Sequence, residues 1–183
     1  MNRRSPLDAL WPLGFAATAV LFWQYRVIAP ATVGESFFQI DFFTLMYPMY
    51  DYGFGEIAAG RIPLWNPFTY CGVPFLATLY TGILYPGNFL FLLLPTGLAM
   101  GLTTALHTGL AAWFMFLLGG GWGGSRTAAA AAALTWAFSQ NAVWFYGPIC
   151  FIASAAWIPL MALGIERACG ERPAGGAALL GFS

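Results

Sequence analysis

The sequence predicts an all-α integral membrane protein, a polytopic helical bundle whose long first external loop contains short interfacial helices. Three observations lead to this class. Of the 183 residues, 60% are hydrophobic and only 8% are charged, whereas soluble domains carry about 25% charged residues. Several apolar runs are about as long as a membrane-spanning helix, and arginines occupy the short segments between them. Too little polar surface remains to cover a water-soluble globule.

The first apolar run, about residues 10–28, follows the basic start "MNRR" and is predicted to be the first transmembrane helix. Tyr25 and Arg26 suit its interfacial end. A signal peptide is the alternative, because "APA" at 29–31 resembles a cleavage site. The bulky side chains of Trp23 and Tyr25 before that site favour an uncleaved helix.

A long external loop is predicted over residues 29–97. Its last part, 82–95, is apolar but short and is bracketed by Pro86 and Pro95, which favours an interfacial or re-entrant helix over a span. If 82–95 does not cross, the N-terminus and both arginine-bearing segments "GGGWGGSR" and "ERACGERP" fall on one side. The positive-inside rule then places the N-terminus in the cytoplasm and the loop outside.

Three further spans are predicted at about 98–118, 127–146 and 150–165, and residues 174–183 look like the start of a fifth. Ten residues are too short to span a bilayer. We therefore expect the chain to be part of a longer membrane region with a truncated fifth span. Small residues recur every four positions at Gly97, Gly101, Ala105 and Gly109. They give the second span a smooth face for close helix packing, and the run 128–133 is expected to do the same for the third.

The stretch "GRIPLWNPFTYCGVPF", residues 60–75, interrupts this apolar pattern. Pro63 and Pro67 exclude a continuous helix. Gly60 is predicted to close a helix running from about 48 to 59 as its C′ residue. The aromatic residues suit a membrane–water interface. The stretch is therefore predicted to be a stiff turn that scaffolds a nearby site.

Acidic residues cluster before this turn, where Asp41, Asp51 and Glu56 stand among aromatic residues. Desolvation raises the pKa of a carboxyl group, which suits a general base, and carboxylates also bind divalent cations. Asp41 is alternatively an N-cap for "FFTLMY". Asp51 and Glu56 are either solvated loop residues or partners of Arg61. Arg61 would clamp a phosphate or pair with these acids.

His107 is the only histidine and lies within the second predicted span. An ionisable group at that depth is a candidate functional residue, although a neutral imidazole bonded to a neighbouring helix is the alternative. Cys71, Cys150 and Cys169 are widely spaced and form no CxxC pair, so neither a disulfide framework nor a zinc site is predicted.

The order of motifs resembles a known family. Asp41 is followed by "GRIPLWNPFTYCGVPFLATLYTGILYPGNFLFLLLP", then by "LHTGLAAWFMFLL", "SRTAAAAAALTWAFSQ" and "AAWIPLMALGIER". In this order, over about residues 38–172, they resemble the N-terminal part of the bacterial YfhO-like membrane proteins. Those proteins are related to the GT-C glycosyltransferases, polytopic enzymes that take sugar from a polyprenyl-phosphate carrier.

The resemblance implies a GT-C-like N-terminal part in the bacterial inner membrane. Asp41 matches the acidic residue of the family's first external loop, which is expected to act as a base on the acceptor or to help bind a divalent metal. Arg61 is then expected to offset charge on the phosphate leaving group. Trp65, Asn66 and His107 complete the predicted substrate-binding set, with the indole of Trp65 stacking on sugar.

The expected partners are a polyprenyl-phosphate sugar donor, membrane lipid, and an envelope glycan or lipid acceptor, with no nucleic acid. Metal dependence is left open. The family's residues that bind the lipid phosphate are expected outside this chain, so its activity in isolation is also left open. The alternative function is a non-catalytic membrane module that assists envelope polymer assembly or lipid handling.

Overall fold

A computed structural model of the chain describes residues 10–22, 42–139, 149–170 and 173–182. Over these ranges the regular elements are helices, and the only strand-like pairing is an isolated antiparallel bridge between Asn66 and Val73. The predicted helical class is therefore confirmed. The α-helices are α1 (Leu10–Phe22), α2 (Tyr47–Ala58), α3 (Thr96–Gly121), α4 (Arg126–Ala137), α5 (Ile149–Cys169) and α6 (Pro173–Phe182).

Two of these helices, α3 and α5, are long and apolar enough to cross a membrane. They contain the predicted second and fourth spans, 98–118 and 150–165. Helix α1 is also apolar, but its described part has 13 residues. The rest of the predicted first span, together with the "APA" motif, lies outside the described residues.

Of the third predicted span, 127–146, the described residues show helix α4 only as far as Ala137. Ser125 caps the start of α4 by accepting a hydrogen bond from the backbone N–H of Ala128 at 3.2 Å. The helix ends at Ala137, and the hydroxyl of Ser139 donates to the carbonyl of Trp136 at 3.2 Å. Twelve residues rise only about 18 Å, short of the roughly 30 Å hydrocarbon core. Residues 140–148 lie outside the described ranges.

The chain divides into two compact units. The helical unit comprises residues 1–22, 105–145 and 152–183, and the loop unit comprises residues 23–104 and 146–151. Helix α3 begins in the loop unit and continues into the helical unit.

Close approach between small residues packs the helical unit. A Cβ added to Gly109 would lie 3.3 Å from the Cα of Ala16, so α1 and α3 nearly touch through their backbones. The same holds for α3 and α4, because a Cβ on Gly119 would lie 3.3 Å from the Cα of Ala129. Gly109 belongs to the predicted smooth face, and Ala129 to the predicted alanine run. Both positions therefore serve the close packing expected of them.

Aromatic residues build the core of the loop unit. Tyr50 is 1% exposed, and its ring centroid lies 4.7 Å from that of Phe91. This pair belongs to a buried cluster whose other members are Met46, Phe54, Ala99, Met100 and Ile149. It fixes α2 against the start of α3.

Short non-α helices connect the parts of the loop unit. A π-helical turn, Phe42–Met46, leads into α2, and 3₁₀-helices form at Leu76–Thr78 and Pro86–Leu92. The predicted short helix within 82–95 therefore exists as a 3₁₀-helix that starts at Pro86 and ends before α3. Asn88, 3% exposed, ties it to the preceding turn by donating to the carbonyls of Thr81 and Gly82 at 3.0 and 3.1 Å.

Candidate functional site: the stapled loop and its cavity

The predicted stiff turn is closed by backbone hydrogen bonds. Asn66 and Val73 exchange both of their N–H···O bonds, at 2.8 and 2.9 Å, and the N–H of Phe75 donates to the carbonyl of Leu64 at 2.9 Å. We call residues 64–75 the stapled loop. The bridge between Asn66 and Val73 and the hydrogen bond from Phe75 to Leu64 hold its ends together, so a stretch without regular strands has a defined shape.

The tip of the stapled loop adopts the backbone of a type I′ turn. The N–H of Gly72 donates to the carbonyl of Thr69 at 2.8 Å. Between them, Tyr70 and Cys71 have φ values of 49° and 65°, the left-handed region that non-glycine residues rarely occupy. Such conformations persist only where the surrounding structure enforces them. The strained tip displays the ring of Tyr70, which is 88% exposed.

Asn66, predicted to bind substrate, pins this loop from inside. It is 3% exposed. Its side-chain oxygen accepts from the N–H of Phe68 at 2.9 Å, and its amide nitrogen donates to the hydroxyl of Thr69 at 3.1 Å. The first of these bonds defines an Asx-turn, which an Asn-Pro sequence favours. Both ends of the amide are therefore already engaged within the loop.

Trp65, also predicted to bind substrate, packs against the turn. A Cβ on Gly72, whose φ is +113°, would lie 2.6 Å from two atoms of the indole, so the ring covers the bare glycine. The carbonyl of Trp65 accepts from the hydroxyl of Tyr52 at 2.8 Å, which joins the loop to α2. The residue is 54% exposed. One side of the indole thus packs against the loop, and only its exposed surface is open for contact with a ligand.

Arg61 is held by an ion pair that follows from the end of α2. Gly60 adopts φ +75°, its N–H donates to Ile57, and the N–H of Arg61 donates to Glu56. These two bonds form a Schellman motif with Gly60 at C′, as predicted. The motif brings the C″ side chain against the C3 side chain, and here these residues are Arg61 and Glu56.

The contact between Arg61 and Glu56 is bidentate. Nε donates to Oε2 at 2.8 Å and Nη2 to Oε1 at 2.6 Å. Hydrogen bonding to Arg61 lowers the pKa of Glu56, and hydrogen bonding to Glu56 raises the pKa of Arg61. Of the two readings left open for Arg61, the structure therefore shows the pairing with an acid. The phosphate clamp would require breaking this pair.

A cavity of about 780 Å³ opens between α2 and the stapled loop. We call it the loop cavity. Its lining combines hydroxyl, carboxylate, amide and aromatic groups. They include Thr44, Asp51, Tyr52, Asn66, Phe68 and Tyr70.

Asp51 supplies the carboxylate of the loop cavity. Its Oδ1 accepts a hydrogen bond from the hydroxyl of Thr96, at the first residue of α3, at 2.6 Å. Asp51 is exposed, in agreement with the solvated alternative, and its described partner is Thr96 rather than Arg61. No local pattern reveals the contact, because Thr96 follows 45 residues later.

Aromatic rings form one wall of the loop cavity. The ring of Tyr52 meets those of Phe68 and Phe75 edge-on, at centroid distances of 5.7 and 5.4 Å. Phe68 is itself 82% exposed. The buried Phe75 thus packs edge-on behind the wall, and Phe68 is exposed at its outer side.

The remaining predicted site residues lie elsewhere or outside the described ranges. His107 is 1% exposed in the middle of α3 and belongs to the helical unit, so it is not among the residues that line the loop cavity. Asp41, the predicted catalytic residue and possible metal ligand, lies outside the described residues. Thr44, three positions later, lines the loop cavity. Over the described residues no group of three or more His, Cys, Asp or Glu side chains could hold a metal ion.

Comparison of the chain with models of protein families, with curated proteins and with solved structures yields no match.

Proposed function

We propose that this chain is the N-terminal part of a GT-C-type membrane glycosyltransferase that uses a polyprenyl-phosphate-linked sugar to modify an envelope glycan or glycolipid. The observation that carries the proposal is the loop cavity. Exposed aromatic faces beside a carboxylate and hydroxyl groups are the surface on which a sugar ring can both stack and hydrogen-bond. The resemblance of the loop sequence to the YfhO-like proteins supports the same activity.

In this proposal the sugar ring enters the loop cavity and Asp41 deprotonates or orients the acceptor hydroxyl. A positioned base of this kind contributes about 10²- to 10⁴-fold to a rate. Helices α3 and α5 support a membrane setting because their length and composition suit a bilayer. The carrier's isoprenoid chain would lie along such helices.

Sugar transfer tests the proposal directly. Membranes containing the full-length protein are supplied with labelled polyprenyl-phosphate sugars, and wild type is compared with Asp41→Asn. Glu56→Gln is the matched control, since it also converts an acid to its amide but lies in the ion pair with Arg61. We expect Asp41→Asn to abolish transfer and Glu56→Gln to keep it. Equal transfer by wild type and Asp41→Asn would remove Asp41 from the mechanism.

A second candidate function is a non-catalytic membrane module for envelope assembly or lipid handling. It is favoured by the apolar surface of the loop unit, where Ile62, Leu64, Leu79 and Leu84 are each more than 60% exposed. No Asp, Glu, Lys or Arg occurs between Arg61 and Arg126. A well-expressed protein that transfers none of the supplied sugars, yet sediments with lipid vesicles, would favour the module over the enzyme.

We also propose that the protein resides in the bacterial inner membrane with its N-terminus in the cytoplasm and residues 29–97 outside. Cys71 and Cys169 are both exposed, and the proposed topology places them on opposite sides of the membrane. In intact spheroplasts, a membrane-impermeant maleimide should label a variant that keeps only Cys71 and spare one that keeps only Cys169. Labelling of the Cys169 variant alone would invert the orientation.

A further inference from the structure

We infer that the loop cavity is a subsite for an uncharged sugar ring, with Asp51 as its hydrogen-bonding carboxylate, and that it excludes the phosphate of the carrier. This inference deepens the proposed function and rests on it for the source of the ring. The sequence predicts both sugar recognition and phosphate recognition for the external loop, and this inference limits the loop cavity to the sugar.

The carboxylate of Asp51 is held in position for this role. Its Oδ1 accepts the hydroxyl hydrogen of Thr96 at 2.6 Å. Its carboxylate makes no other hydrogen bond or ion pair with the residues that the structure describes. Its Oδ2 is therefore available to accept from hydroxyl groups of a ligand. Hydrogen bonds to a charged acceptor are stronger than those between neutral groups.

The described walls of the cavity contain one acid and no base. Its lining includes no Lys, Arg or His among the described residues. Arg61, the one arginine in the described part of the loop unit, donates two hydrogen bonds to Glu56. An anion entering the cavity would meet Asp51, and none of the described lining residues supplies a compensating cation. Such an arrangement discriminates against phosphate and carboxylate groups.

The aromatic wall gives the ring of the ligand a surface to lie on. Tyr52 is fixed by its hydrogen bond to Trp65 and by the edge-on contact with Phe75. Phe68 and Tyr70 are more than 80% exposed at the rim. Fixed aromatic groups bind at low ordering cost. The combination of a flat apolar face with one carboxylate matches a pyranose, which has apolar C–H faces and hydroxyl groups around its edge.

Direct binding tests this inference without turnover. The full chain is purified in detergent, and ligand-observed saturation-transfer NMR measures binding of methyl glucoside, methyl galactoside and methyl mannoside. Inorganic phosphate and methyl glucuronide serve as anionic probes. Asp51→Asn removes the charge while its amide oxygen can still accept from Thr96. Glu56→Gln is the matched control on the same helix.

We expect wild type and Glu56→Gln to bind at least one neutral glycoside and neither anionic probe, and Asp51→Asn to bind that glycoside about 10- to 100-fold more weakly. Tyr70→Leu is a second variant at an exposed rim position and should also weaken binding. The inference is overturned if wild type binds none of the neutral glycosides, if the anionic probes bind equally well, or if Asp51→Asn binds like wild type.

The two proposals can fail separately. Transfer that depends on Asp41 but no glycoside binding in the loop cavity would keep the enzyme and discard this subsite. Glycoside binding that depends on Asp51, in a protein that transfers no sugar, would keep the subsite and discard the enzyme.

Discussion

The contact between Trp65 and Gly72 provides the sharpest test of the stapled loop. Replacing Gly72 by Ala introduces a Cβ at 2.6 Å from the indole, whereas ordinary contacts begin at 3.4 Å, so the ring must retreat by 3.4 − 2.6 = 0.8 Å. Gly72 also has φ +113°, which costs an L-residue about 1–2 kcal/mol. Overpacking adds about 1–3 kcal/mol. We therefore expect Gly72→Ala to lower the free energy of unfolding by about 2–5 kcal/mol.

The assay is denaturant unfolding in detergent followed by far-ultraviolet circular dichroism, with two controls. Gly60→Ala also places an L-residue at positive φ, at +75° rather than +113°, but its Cβ meets nothing within 4 Å, so it should cost only about 1–2 kcal/mol. In a Trp65→Ala background, Gly72→Ala should lose its overpacking cost and show a coupling of about 1–3 kcal/mol. An unchanged cost in that background, or equal costs for the two glycines, would refute the reasoning.

Three further predictions address neighbouring features. Gly53→Ala places a Cβ 2.6 Å from a buried phenylalanine ring and should destabilise the protein by about 1–3 kcal/mol. Gly55→Ala in the same helix meets nothing within 4 Å and should stabilise the protein by about 0.5–1 kcal/mol. Thermal melts compare the two variants, and stability changes of the same sign would contradict the packing. The bond to Arg61 holds the pKa of Glu56 below its ordinary 4.5, so the pair stabilises fully above that pH and its contribution is lost as pH falls through the lowered value; the pH dependence of unfolding should flatten in Glu56→Gln, and an unaltered profile would contradict the linkage. Asn66→Ala removes two part-buried hydrogen bonds. It should lower the free energy of unfolding by about 1–3 kcal/mol and weaken glycoside binding. Asn66→Asp should partly restore both, because its oxygen can still accept at the turn.

The elements with local signals were predictable from the sequence. Gly60 predicts the end of α2 because a left-handed C′ position favours glycine. Helix Tyr47–Ala58 differs from the predicted 48–59 by one residue at each end. The long apolar run predicted α3, although the helix continues to Gly121 beyond the predicted 118. Its extra turn is built from glycines, one of which packs closely on Ala129. Glycine content alone predicts an earlier end, and tertiary packing overrides it.

The site was less predictable because its contacts join distant residues. Asp51 meets Thr96 across 45 positions, and neither residue carries a motif. The sequence singles out Asn66 and Trp65, but residue type alone does not tell whether a side chain faces a ligand or the loop itself. The indole of Trp65 packs against the loop because Gly72 has no side chain in that space, and this contact is not visible in the type of either residue. The sequence predicts a helix that continues past Ala137 because the polar residues 139–141 are followed by another apolar run, and no Gly or Pro occurs before Gly147.

The closure of the stapled loop has a consequence for how any ligand would arrive. Its ends are joined by the bridge between Asn66 and Val73 and by the hydrogen bond from Phe75 to Leu64, so this part of the cavity wall exists before binding. Ordering a flexible segment costs roughly 1–2 kcal/mol per residue in conformational entropy. Binding to a loop that is already ordered does not include that cost. Association should then proceed in a single concentration-dependent phase without a slow ordering step. Calorimetry should show none of the large entropic penalty that accompanies coupled folding and binding.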